Sequence, residues 1–136
     1  LISFTIAGNP IPLKRHRVSK FGGMYDPSSK DKKDVWLQIA KYKPKMPFSG
    51  DIMLRATFYM QRPKSHFRTG KFKHLLKENA PIRHSKKPDL DNLLKMLMDT
   101  IQGNDRMLLD DSQICVILAE KEYGNIPRTE IIIEEI

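Results

Sequence analysis

Lys87-Pro88-Asp89-Leu90-Asp91-Asn92-Leu93-Leu94-Lys95 is the stretch on which the fold turns. Pro88 disfavours a helical conformation at Lys87, so the chain enters a helix just beyond it. Leu90, Leu93, Leu94, Leu97 and Ile101 then recur at helical spacing until Gly103 stops the pattern. Upstream, Asp51 to Gln61 alternates, with Ile52, Leu54, Ala56, Phe58 and Met60 on one face. Downstream, Ser112 to Tyr123 reads as a core strand. Residues 51 to 123 therefore form a strand-helix-strand unit, with a basic loop inserted before its helix. A crossover that returns beside its starting strand is expected to bring Asp89 and Asp91 close to Asp110 and Asp111, in one acidic pocket.

Around this unit, Leu1 to Ala7 alternates as a half-buried strand and Gly8 to Pro12 breaks it. Lys14-Arg15-His16-Arg17 leads to a hairpin with Gly22-Gly23 at its tip. Ser28 with Asp31 predicts a capping box for a helix running to about Lys43, buried through Val35, Trp36, Ile39 and Ala40 and ended by Pro44 and Pro47. Arg62 to Pro88 is too long for an ordinary connection, which marks it as functional or disordered; Lys71 to Glu78 is a candidate short helix within it. Gly124 to Pro127 reads as a turn and Arg128 to Ile136 as a last strand. At 136 residues without an internal repeat, the expectation is one domain over 1–136.

The longest apolar run, Ile114 to Ala119, is far too short to span a membrane. No charged n-region or long apolar segment opens the chain, so no secretory signal is expected. The lone Cys115 has no internal disulfide partner and is expected to pack in the core, which with the preceding point suggests a cytoplasmic, reducing compartment.

The net charge of +8 conceals a division. Residues 9–45 carry +7, residues 62–88 carry +8 and residues 89–136 carry −7. Two basic segments face one acidic segment. A basic excess suits a polyanion, because each phosphate met by Lys or Arg releases counterions; solubility alone is the plainer explanation.

Asp89 and Asp91 alternate at the helix entry, which places them on one side if that entry is extended. Adjacent carboxylates repel unless a cation lies between them, and a hard ion such as Mg²⁺ meets that need while keeping waters for a phosphate or nucleophile. Lys95, one helical turn after Asp91, is placed to stabilise charge on a scissile phosphate. The structural alternative is that acidic residues cap the helix and Asp91–Lys95 is an ordinary i, i+4 pair. Asp99 is read as structural.

Together with Leu109-Asp110-Asp111-Ser112-Gln113-Ile114, Gly8-Asn9-Pro10, Lys14-Arg15-His16-Arg17, Gly22-Gly23 and Tyr25-Asp26-Pro27, the opening stretch resembles the RusA-type Holliday junction resolvases over nearly the whole chain. The resemblance implies an α+β fold, a mixed β-sheet with two main helices, and a homodimeric, Mg²⁺-dependent endonuclease (Mn²⁺ substituting) that nicks four-way or branched DNA in recombination and repair. It places the metal-binding carboxylates on Asp89, Asp91 and Asp111 and the essential lysine on Lys95. Asp110 matches the neighbouring family Asp and stands as a further candidate ligand. The basic loop from Arg62 is longer than the family's, and Ser85-Lys86-Lys87 is less Arg-rich.

A C2 dimer would present two equivalent pockets to the two strands of a junction. Lys14, Arg15, Arg17, Arg83, Lys86 and Lys87 are the expected DNA-backbone contacts. Phe67 and Phe72 are candidates to stack on or wedge between bases, although anchoring the loop is the preferred role. His66, His74 and His84 lack ligand spacing and are assigned to phosphate or solvent. A restriction-type nuclease pattern fails, because the lysines after Asp89 follow Leu93 and Ala119 rather than an acid at the required spacing. The Gly-Ser signature of nucleotidyltransferases is absent, and glycosyltransferases are usually much longer. The remaining alternative is a non-catalytic basic DNA- or RNA-binding module.

Overall fold

A computed structural model describes residues 1–15 and 17–136. The order is β1 (Ile2–Ala7), β2 (Arg17–Val18), β3 (Met24–Tyr25), α1 (Ser29–Ile39), β4 (Ile52–Gln61), α2 (Leu90–Ile101), β5 (Ile114–Gly124) and β6 (Arg128–Glu135). A four-stranded sheet runs β1-β6-β4-β5, and β2 and β3 form a separate hairpin. β6 is antiparallel to β1 and β4, whereas β4 and β5 are parallel, so the sheet is mixed and the fold α+β. The parallel pair needs a long crossover, and residues 62–113 with α2 supply it.

Alternation along β4 turns Ile52, Leu54, Ala56, Phe58 and Met60 toward α1 and α2. Thr129, Ile131 and Ile133 of β6 are buried between them and β1. α2 meets this face with Leu93, Met96, Leu97, Thr100 and Ile101, as a helical stripe requires. The opposite sheet face is polar and open, with Ser3, Thr5, Arg55, Thr57 and Glu130 on it. α1 buries Val35 and Ile39 and half-buries Trp36, then tightens into a 3₁₀ turn over Ala40–Tyr42. Lys32 bridges Asp26 at 2.6 Å and Asp99 at 3.2 Å, tying α1 to α2. Its partial burial disfavours the ammonium, but the two carboxylates outweigh that and raise its pKa. Asp99 is thus structural.

The expected capping box at Ser28 does not form. Ser28 is fully buried and its Oγ accepts from the Lys14 amide at 2.8 Å, so it fastens the basic arm instead of the helix. The candidate helix over Lys71 to Glu78 is also replaced. A 3₁₀ turn over Gly70–Phe72 is followed by chain that pairs back on itself, with Arg68 N donating to Leu75 O and Lys77 N to His66 O. Local amphipathicity there is too weak to outweigh these closures.

β5 departs from a core strand in two ways. It is the sheet edge, and Cys115 occupies a register shift between Ile114, opposite Ile52, and Val116, opposite Met53. The extra residue is pushed out of the alternation, and Cys115 is exposed rather than packed in the core. Among the described residues, no helix is long and apolar enough to cross a membrane.

Candidate active site

The start of α2 lies at the carboxyl ends of β4 and β5, where open α/β sheets leave a crevice. Lys121 of β5 fixes the approach by donating from Nζ to Lys86 O at 2.6 Å and Pro88 O at 2.7 Å. Asp89 occupies the N-cap position in an extended conformation, yet its side chain caps no amide. Its carboxylate instead meets Lys87 Nζ at 2.9 Å and is half exposed. Asp91, 68% exposed, accepts from its neighbour Asn92 N at 2.9 Å and lies 3.9 Å from Lys95 Nζ. Capping therefore does not account for Asp89, and each carboxylate has a lysine beside it. The basic arm reaches the same place, because Leu13 N donates to Asn92 O at 3.0 Å, leaving Lys14 and Arg15 exposed nearby.

Beside this helix start lies an open basic depression of about 520 Å³, with Arg62, Lys64, His84, Lys86 and Lys87 around Tyr123. The Arg62 guanidinium stacks 5.3 Å from the Tyr123 ring centre, and His66 and His84 meet that ring edge-on. Partial burial pushes the His84 pKa down, with nearby Lys121 adding to the effect; burial and Arg62 do the same to His66. Both imidazoles thereby favour the neutral form and act as packing for Tyr123, a role their sequence spacing did not reveal. His74 is exposed. Arg83 engages Glu122 at 3.0 Å and Glu120 at 3.6 Å, so two carboxylates compete with phosphate for it. His16 lies outside the described residues, and Arg17 is described by its backbone alone. Phe67 bridges to Leu76 inside the long loop, while Phe72 is exposed.

The second carboxylate pair lies elsewhere, contrary to the expected single pocket. Asp111 N donates to Gln102 Oε1 at 2.8 Å, and Gln102 is the residue that ends α2. Asp89 and Asp111 therefore stand at opposite ends of a twelve-residue helix, about 18 Å apart at a rise of 1.5 Å per residue. The cause is the crossover itself. A helix returning from the carboxyl end of β4 to the amino end of β5 must span the length of both strands.

Asp110 and Gln113 form a reciprocal capping box around Asp111–Gln113. The Ser112 side chain, together with the Ser112 amide that donates to Asp110 at 3.0 Å, lowers the Asp110 pKa. Gln113 accepts from Leu109 N and Asp110 N and donates to Phe48 O and Gly50 O, closing this end of the molecule. Asp110 is thus a structural cap. The sequence signal for Gln113 was the Asp-Asp-Ser-Gln spacing of a capping box. The Asp111 carboxylate, by contrast, accepts no hydrogen bond and joins no ion pair among the described residues. Nor do any three His, Cys, Asp or Glu side chains among them converge as a metal site. One chain thus does not fit a three-carboxylate centre built from Asp89, Asp91 and Asp111.

Comparison with known proteins places the chain in a family. The family model described as Endodeoxyribonuclease RusA matches residues 7–134. The uncharacterized protein YqaN of Bacillus subtilis (strain 168) is 31% identical over 140 residues, covering 99% of this chain and 96% of that one. A match that takes in both basic segments, the charged helix start and the Asp-Asp-Ser-Gln knot leaves one assignment: the chain belongs to the RusA endodeoxyribonuclease family.

Proposed function

We propose that this protein is a structure-selective endonuclease that resolves four-way DNA junctions by paired nicking in recombination and repair. It works as a homodimer of one-domain chains spanning 1–136, inside the cell, and depends on Mg²⁺ or Mn²⁺. Family membership supports the reaction class. The observation that carries the site is that Asp89 sits at a helix N-cap without capping, beside a still more exposed Asp91, between two basic surfaces.

Lys14, Arg15, Lys86 and Lys87 hold the DNA backbone across the helix start. Asp89 and Asp91, now paired with Lys87 and Lys95, would hold the cation. Lys95, four residues along the same face, neutralises charge that builds on the phosphoryl oxygens. Hydrolysis needs a water activated next to that phosphate, which a divalent ion supplies when bound. Asp89 and Asp91 would be two of its ligands; Asp111, a helix length away in the same chain, could be a third only across the homodimer.

The test is cleavage of a synthetic four-way junction with and without Mg²⁺. Paired, symmetric nicks that vanish in chelator and in Asp91→Asn, with binding retained, are the expected result. Tight binding with no cleavage in Mg²⁺ or Mn²⁺ would assign the protein to the non-catalytic DNA-binding class.

A further inference from the structure

The long basic loop brings its two ends together over Tyr123. Residues 61–64 leave β4, residues 84–87 lead into α2, and side chains from both stretches line the open depression of about 520 Å³. Tyr123 N donates to Ile82 O at 2.9 Å and His84 N to Lys121 O at 3.1 Å, which straps the returning chain along β5. Lys121 Nζ then holds Lys86 O and Pro88 O. One strap therefore carries both a wall of the depression and the entry to α2, and Lys87 on that wall reaches Asp89 at 2.9 Å. Whatever occupies the depression lies beside the head of α2.

The lining selects an anion. Arg62, Lys64, Lys86 and Lys87 stand there with His84, and no carboxylate joins them. Of these cations only Lys87 has a carboxylate partner among the described residues. Like charges gathered this closely repel one another, and a bound anion removes the repulsion. Arg62 is also fixed in advance. Its Nη1 donates to Pro81 O at 2.8 Å and meets His66 Nδ1 at 3.3 Å, while its guanidinium lies over the Tyr123 ring. Arg62 Nε and His84 Nδ1 are buried without a partner among the described residues, and native proteins rarely leave such groups unused. A guanidinium already held by packing loses little freedom when it meets a phosphate. A base finds no platform here, because Tyr123 is buried with both His66 and His84 against its ring.

We propose that the depression seats a phosphate of the strand to be cut, close to the scissile one, and that Arg62, Lys64 and Lys86 bind it. The inference rests on the endonuclease reading and adds a second anchor to that site. With one phosphate fixed in the depression, the strand runs past Asp89, Asp91 and Lys95 in a set register. The anchor reads charge rather than bases, so it fixes position without sequence preference.

The test pairs one side chain with one phosphate. Four-way junctions are made with a neutral methylphosphonate at a single position near the branch point, the same on both opposed strands, and the position is moved from one junction to the next. Binding is read by fluorescence anisotropy without divalent ions. At one position the neutral group should weaken wild-type binding about 10- to 100-fold, the scale of a lost charge-assisted contact. Arg62→Ala should weaken binding of the unmodified junction by a similar factor. In that variant the same methylphosphonate should cost no more than about twofold further, since the two changes remove one contact. Arg62 also packs on Tyr123, so the exposed Lys64→Ala repeats the cycle with little demand on the fold.

Additive losses at every position in both variants overturn the phosphate seat, even beside an active wild type. A coupled phosphate far along the strand from the cut mapped in Mg²⁺ overturns its role in register. A wild type that shows the coupling and cleaves no junction overturns the endonuclease reading instead and leaves the seat standing.

Discussion

The two ends of α2 use the same residue types to opposite purposes. At its start, Asp89 and Asp91 are exposed and paired with exposed lysines, Asp91 also accepting from the adjacent Asn92 amide, and Asp89 leaves the helix amides uncapped. Past its end, Asp110, Gln113 and Gln102 are committed to backbone groups, and the chain beneath them buries Met107 and Leu108 completely. An aspartate at a turn is ordinarily structural, and Asp110 shows what that looks like. Asp89 and Asp111 lack those bonds, and the lack distinguishes an available acid from a structural one.

The largest effect that would sharpen this contrast is catalytic. Asp91→Asn should lower junction cleavage by about 100- to 1,000-fold, the scale of a lost electrostatic group in an active site, while the thermal midpoint measured by circular dichroism stays near wild type. Lys95→Ala should reduce the single-turnover rate far more than junction affinity; equal losses would make it a binding residue.

The other end should respond in the opposite sense. Gln113→Ala should destabilise the fold by about 1–3 kcal/mol, because it strips the partner from the partly buried Phe48 and Gly50 carbonyls, and denaturant titration reads that loss directly. Asp110→Ala should destabilise the fold less than Gln113→Ala, as a lost cap on an exposed turn, and leave cleavage per folded molecule nearly intact. A cleavage defect without destabilisation in Asp110→Ala would erase the contrast between Asp110 and Asp111.

Smaller effects concern the basic surface. Lys86→Ala should weaken DNA binding across sequences and reduce the slope of log affinity against log salt by about 1, read by fluorescence anisotropy. His84 supplies a pH signature. Its folded-state pKa lies below its ordinary value of 6.5, so the unfolded chain binds the proton first as pH falls. Stability is therefore full above 6.5 and declines below it, and His84→Gln should flatten that decline in thermal melts. His66, shifted in the same direction, adds to the wild-type slope.

Much of the fold was legible because it depends on local periodicity. The alternation of β4, the leucine spacing of α2 and the Gly22-Gly23 hairpin all appear where side-chain period and turn residues place them. Ser28 was misread because a Ser-x-x-Asp spacing is blind to Lys14, whose amide claims the hydroxyl from fourteen residues away. Cys115 was misread because a bulge shifts alternation without leaving a mark in residue type.

The sequence by itself determined the elements, the division of charge and the residues able to do chemistry, since these follow from residue type and short-range spacing. Only the tertiary structure decided which of those residues meet. It joined the basic arm to the head of α2 through Leu13 and Asn92, and it set Asp111 a helix length from Asp89. The reason is geometric: a parallel pair of strands joined by a helix places the helix's two ends at opposite ends of those strands, whatever chemistry the helix ends carry.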